Sequence, residues 1–146
     1  MNIQYWISKG ALRNRQKDME KIESMIGSAE VNAKVTQEIK INENTATLIF
    51  REIYESIRQL GDAKLWIIGF EPQNHEVSLE ILKEFDIKEK VKLNSLDRIK
   101  KIRHDINYRG FRASIEQAKE ILEFWDKCGI EILGLLKKEI KLNNPL

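Results

Sequence analysis

Residues 98–112, RIKKIRHDINYRGFR, hold the side chains best suited to chemistry in this chain. Six cations (Arg98, Lys100, Lys101, Arg103, Arg109 and Arg112) and one acid, Asp105, surround His104 and Tyr108, and the stretch breaks at Gly110. Guanidinium forks grip phosphate oxygens two at a time. Imidazole exchanges a proton near neutrality, and aromatic faces stack on bases. The whole chain carries 25 Lys and Arg against 23 Asp and Glu, so the positive charge is local. That balance excludes a protein that coats nucleic acid through net charge, and it leaves room for a local basic site.

Helical geometry divides the stretch into faces. With Leu96, Ile99, Ile102 and Ile106 turned to the core, Arg103 and Asn107 are four apart and share one face. Lys100, His104 and Tyr108 form a second stripe at the same spacing. Arg109, Phe111 and Arg112 follow at and beyond the helix end. The plainer account of the same residues is a solvated helical face, with Asp105 pairing to Arg109 at i+4 and Arg98 to nearby acids, contacts that add little stability. His75 follows a Pro-Gln-Asn turn and fits a helix start. Cys128 fits a small core position, and Trp66 and Trp125 fit core or interface aromatics. The sequence has no phosphate-cradling glycine loop, paired metal-ligand motif or serine-histidine-acid arrangement, so the reading includes neither cofactor nor metal.

The elements that position these residues are helical. Gly (7) and Pro (2) are scarce, as suits long helices. Spacings of three, four and seven in Leu12, Met19, Ile22, Ile26, Ala29 and Ala33 predict a first helix over about residues 9–37. A polar break at residues 42–45 opens a second helix. Its stripe is Ala46, Ile49, Ile53, Ile57, Leu60, Lys64 and Ile68, widened by Leu48, Phe50, Trp66 and Ile67, and this breadth makes it central. Gly69 and Pro72 stop it. A short helix over about residues 75–85 turns Val77, Ile81, Leu82 and Phe85 inward. After a polar connection, Ser95 is the expected N-cap of the basic helix over residues 96–109, and Gly110 is its C-terminal stop. Ser114 and Gln117 form a capping box. It opens a long last helix with Ala118, Ile121, Leu122, Trp125, Cys128, Ile132, Leu136 and Ile140 inward, bending at Gly129 or Gly134 and ending at residues 143–145. This is an all-α, up-and-down bundle of about five helices with no strand, one domain over residues 1–146.

The basic helix and its surroundings resemble the HEPN (higher eukaryotes and prokaryotes nucleotide-binding) family. Arg103-His104 is similar to the opening of the family motif, an Arg followed by Asn, Asp or His, with a further His four to six residues after the Arg. YRGFRAS (residues 108–114) and the segment YESIRQLGDAKLWIIGFEPQNH (residues 54–75) are similar to archaeal members. The resemblance spans roughly residues 50–126. It implies a helical bundle with a long hairpin, a homodimer, and RNA or a nucleotide as ligand. In active members it implies a metal-independent ribonuclease site between protomers. There Arg103 would hold the scissile phosphate, with Lys100, Asn107, Arg109 and Arg112 as supporting RNA contacts. It further implies a toxin-type role in a toxin-antitoxin or defence pair, and a minimal nucleotidyltransferase as partner.

One departure bears on catalysis. Five residues after Arg103 stands Tyr108 rather than His. A phenol titrates near pH 10 and is a poor base at neutrality, which leaves His104 or Tyr108 as the proton-transfer partner. A register pairing Arg98 with His104 spans about 600° of helix and sets the two side chains some 120° apart. A single cysteine excludes an internal disulfide. No segment nears the roughly 20 apolar residues of a membrane span, and MNIQYWISKGALRNRQ lacks a signal-peptide core. A cytoplasmic protein is expected. Three functions follow: an RNA- or nucleotide-binding module, a metal-independent endoribonuclease, or the protein-interaction subunit of a nucleotidyltransferase.

Overall fold

The computed structural model describes residues 1–143, and its order is α1 (Ile3–Ser8), β1 (Leu12–Asn14), α2 (Met19–Gln37), α3 (Ala46–Ile67), β2 (Phe70–Pro72), α4 (His75–Leu82), a 3-10 turn (Lys90–Ser95), α5 (Leu96–Arg109), α6 (Ile115–Phe124), a π turn (Trp125–Gly129) and α7 (Ile130–Asn143). This is an all-α helical bundle with a small β ribbon. No helix among the described residues is long and apolar enough to cross a membrane.

The broad apolar face of α3 makes it the centre. It buries Ile49, Phe50, Ile53, Ile57, Leu60 and Trp66, and α2, α4, α5, α6 and α7 all pack on it. Each such buried aliphatic side chain stabilises the fold by about 1.5–3 kcal/mol relative to exposure. α2 forms the long hairpin with α3 through Ile22, Ile26, Ala29 and Ala33. Asn32 donates to the Glu52 carboxylate at 2.9 Å across that hairpin. Leu48 and Ile68, expected on the inner stripe of α3, are exposed instead.

The helix expected over residues 9–37 is α2, which begins at Met19 and not near residue 9, and the short α1 precedes it. Leu12 lies in β1, which pairs antiparallel with β2 in the register Leu12↔Pro72, Arg13↔Glu71 and Asn14↔Phe70. The expectation of no strand is therefore corrected. The reason is tertiary: Leu12 and Ala11 form a second cluster with Leu65, Val77 and Ile81. β2 emerges from the end of α3 and gives β1 an edge to bond.

The basic helix α5 has the expected bounds. Gly110 terminates it at φ 68°, the left-handed geometry a residue without Cβ adopts freely, and its N–H bonds the Asp105 carbonyl. The Ser95 cap does not form. The 3-10 turn runs directly into α5, so Ser95 is already helical, and its hydroxyl donates to the Lys92 carbonyl at 2.6 Å. The capping box does form. The Ser114 N–H donates to Gln117 Oε1 at 3.0 Å, and the Gln117 N–H donates to Ser114 Oγ at 3.1 Å. The long last helix is interrupted by the π turn ending at Gly129, and the Pro145 stop lies outside the described residues. Cys128 is fully buried and burial pushes its thiol up to about 11, which makes it inert at neutral pH.

One close approach sets the docking of α4 on α3. A Cβ added at Gly61 would lie 2.0 Å from the Ser78 carbonyl oxygen. Alanine gains up to about 1 kcal/mol of helix propensity over glycine, while forced overpacking costs about 1–3 kcal/mol. At this overlap with backbone the steric term wins. Gly61→Ala is expected to lower the denaturant midpoint, and an unchanged midpoint in urea titration would show that α4 yields without cost.

Candidate functional site

α5 has two edges and an outer face, and the basic residues divide among them. Arg103 and Asn107 lie on the edge towards α3 and α4. The Arg103 guanidinium sits 5.1 Å from the centroid of the Tyr54 ring on α3. Asn107, with its side-chain oxygen turned inward, places that oxygen 3.1–3.2 Å from the three guanidinium nitrogens. Arg103 is half-buried and has no carboxylate partner among the described residues. A half-buried guanidinium held by a ring and a neutral amide keeps its donors ready for an anion.

His104 and Tyr108 lie on the outer face. Their rings stand 4.9 Å apart, tilted by 41°, and Tyr108 is 72% exposed. The pair is thus brought together, but on a different face from Arg103 and Asn107. Arg109 stacks over Phe111 at 5.3 Å, and an Arg112 nitrogen reaches the Glu43 carbonyl at 3.5 Å. Lys100 is paired with Glu76 of α4 at 3.7 Å. Arg98 is clamped by Glu120 of α6 at 2.8 Å. The expected pair between Asp105 and Arg109 is absent among the described residues.

The edge that carries Arg103 leads to a group of polar residues that the stretch 98–112 does not contain. Tyr54, Glu55, Arg58 and Asp62 come from α3, and His75 and Ser78 from α4. Arg58 donates to Glu55 on one side and Asp62 on the other, and Asp62 also accepts from the Ser78 hydroxyl. The Arg58 and Asp62 side chains are only 18% and 13% exposed. A recess of about 200 Å³ is lined by Arg58, Asp62, Pro72, Gln73, Asn74 and His75. The sequence held a signal for this. Glu55, Arg58 and Asp62 sit at i, i+3 and i+7 of a helix whose apolar breadth makes it central, so its charges must lie in seams between helices.

The titrations of these groups are linked. Burial holds the His75 imidazole below its ordinary value, and the Arg58 and Arg103 guanidiniums push the same way against the pull of Glu55 and Asp62. Burial raises the Asp62 carboxyl despite Arg58 and Ser78. Burial acts upward on Glu55 too, but the Arg58 hydrogen bond and charge bring it below the ordinary carboxylate range. Burial raises the Tyr54 phenol more than Arg103 and Arg58 lower it. Such perturbed groups gathered beside a recess mark a candidate site. A neutral imidazole, a guanidinium and a phenol can bind an anion and exchange a proton. Among the described residues no cluster of three or more His, Cys, Asp or Glu is arranged to hold a metal ion.

No protein-family model, curated protein or solved structure matches this chain significantly.

The seam makes a prediction about His75. Its folded pKa lies below the ordinary 6.5, so protons bind the unfolded chain more tightly. Stability is undiminished above that value and falls as pH drops through it towards the folded pKa. NMR titration of the imidazole is expected to give a midpoint below 6.5, and Arg103→Met is expected to move it upward by removing a repelling cation. A midpoint unmoved in Arg103→Met would separate the two residues into independent sites.

Proposed function

We propose that this chain is a HEPN-like RNA- or nucleotide-binding bundle, with Arg103 as its phosphate contact. One observation carries the reading: Arg103 is half-buried, capped by Asn107 and Tyr54, and lacks a carboxylate partner among the described residues. A guanidinium kept partly from water without a carboxylate bonded to it is costly to the fold, and an anionic ligand supplies what it lacks. Elsewhere on α5 Lys101 and Arg109 also lack carboxylate partners among the described residues, while Lys83, Lys92, Arg98 and Lys100 are paired with Glu80 and Asp97, Glu123, Glu120 and Glu76. The resemblance of residues 50–126 to the HEPN family extends the reading to a homodimer. It also extends it to the toxin-type partner of a toxin-antitoxin or defence pair, and to association with a minimal nucleotidyltransferase.

A second reading is metal-independent RNA cleavage. Two placements bear on it. His104 and Tyr108, the partners suggested by the motif, lie on the outer face of α5. His75, whose imidazole burial and two guanidiniums keep neutral, borders the same seam as Arg103.

The test is binding and cleavage of a labelled mixed-sequence RNA by the purified protein in EDTA. Binding is expected to weaken steeply with salt, because releasing phosphate counterions into concentrated salt gains less free energy. Arg103→Ala is expected to weaken it roughly tenfold or more, the loss of one charge-assisted contact. Binding without product supports the module. Product lost in Arg103→Ala and retained in Tyr108→Phe supports the nuclease. RNA binding that is absent, or indifferent to Arg103, would overturn the reading and leave the interaction subunit.

A further inference from the structure

The charges of α5 change character along its length. Near its start, Arg98 is clamped by Glu120 at 2.8 Å, and Lys100 meets Glu76 at 3.7 Å. These cations staple α5 to α6 and α4. Further on, Arg103 and Arg109, with Arg112 just past the helix end, make no carboxylate ion pair among the described residues, and Asp105 is the one acid between them. Cations in the last turn also complement the helix dipole, which accounts for Arg109. It does not account for the apolar surface left open beside them.

That surface consists of two rings. Tyr108 is 72% exposed and Phe111 54% exposed, and they lie on either side of the left-handed Gly110 turn. Each ring is braced on one side. His104 lies against Tyr108 at 4.9 Å, and the Arg109 guanidinium lies over Phe111 at 5.3 Å. The Phe111 ring borders a recess of about 150 Å³ whose polar rim is Asp105, Arg112 and Gln117. The rim offers both an acceptor and donors. Exposed rings set among unneutralised cations match a ligand that carries both phosphates and uncovered π faces. A duplex offers the phosphates but keeps its bases stacked on one another. Unpaired nucleotides offer both.

We infer that the C-terminal end of α5, with Tyr108 and Phe111 as stacking rings and Arg109 and Arg112 as phosphate contacts, is a binding surface for single-stranded RNA. This rests on the RNA-binding reading above and narrows it to unpaired bases. The hydroxyl of Tyr108 has no part in the stacking, so its ring alone matters. The recess beside Phe111 gives one base edge a place to meet the Asp105 carboxylate, which accepts from the amino and ring N–H groups a base presents.

Fluorescence anisotropy tests the inference, with a 12-nucleotide mixed-sequence RNA measured alone and annealed to its complement at the same salt. The single strand is expected to bind at least about tenfold more tightly than the duplex. Tyr108→Ala and Phe111→Ala are each expected to weaken the single strand by roughly 5- to 150-fold, the range for loss of one base–ring stack. Their duplex binding should stay within about twofold, because phosphate contacts are untouched. Tyr108→Phe is expected to match the parent. Both side chains are exposed, so these variants retain the fold. Equal binding of the two RNAs, or unchanged single-strand binding in both alanine variants, would overturn the inference while leaving RNA binding at Arg103 standing. Loss of self-association in those variants at unchanged RNA affinity would assign the rings to a second copy of the chain. Binding of neither RNA would overturn the broader reading as well.

Discussion

Arg58 sits in the middle of the most buried helix, and its charge has to be answered inside the protein. At 18% exposure it retains too little water to be left alone, and an unpaired charge at such depth costs several kcal/mol. Glu55 and Asp62, one turn to either side on α3, answer it. Asp62 then needs a further partner, and the Ser78 hydroxyl provides one. Ser78 can do so because α4 lies against α3 at Gly61, where no side chain intervenes. The position of α4 fixes His75 at its first turn, on the rim of the same seam. One half-buried cation thus organises two helices and the imidazole between them.

The same arrangement explains why Arg103 is available. Glu55, whose carboxylate feels both arginines, is already committed to Arg58 through two of its nitrogens. Arg103 is left with the face of Tyr54 and the amide of Asn107. A ring quadrupole and a neutral oxygen stabilise a guanidinium less than a carboxylate does. The Arg58 network is therefore structural, and the Arg103 contact is the open end of it.

Much of this was legible where the signals are local. Gly110 ends α5 because a left-handed turn favours glycine, and Ser114 with Gln117 opens α6 because both partners lie within one turn. The inward isoleucines of α5 and the shared face of Arg103 and Asn107 followed from helical period alone. The ribbon was not legible. Strands of three residues have no periodicity of their own, and Leu12 continues a helical spacing by coincidence while its burial depends on Leu65 and Val77. Ser95 carries a cap-forming side chain but sits where a preceding 3-10 turn removes the need for one. The Arg58 seam lay hidden for another reason. Attention to apolar positions on α3 passes over its charges, although a central helix cannot carry charged residues without giving them partners.

The geometry of α5 also decides which neighbours in sequence are neighbours in space. Consecutive residues on a helix diverge by about 100°, so Arg103 and His104 leave the helix in different directions. His104 meets Tyr108 one turn on, and the two make an outward aromatic pair. Arg103 instead turns towards residues 28 and 49 positions earlier in the chain, His75 and Tyr54. A motif written along one helix suggests that its adjacent members act together. In this chain Arg103 is held by Tyr54 of α3 and by Asn107 one turn further along α5, while His104 and Tyr108 stay on the outward face. The imidazole of His75, held below its ordinary value by burial and by two guanidiniums, borders this seam between helices and not the outward face of α5.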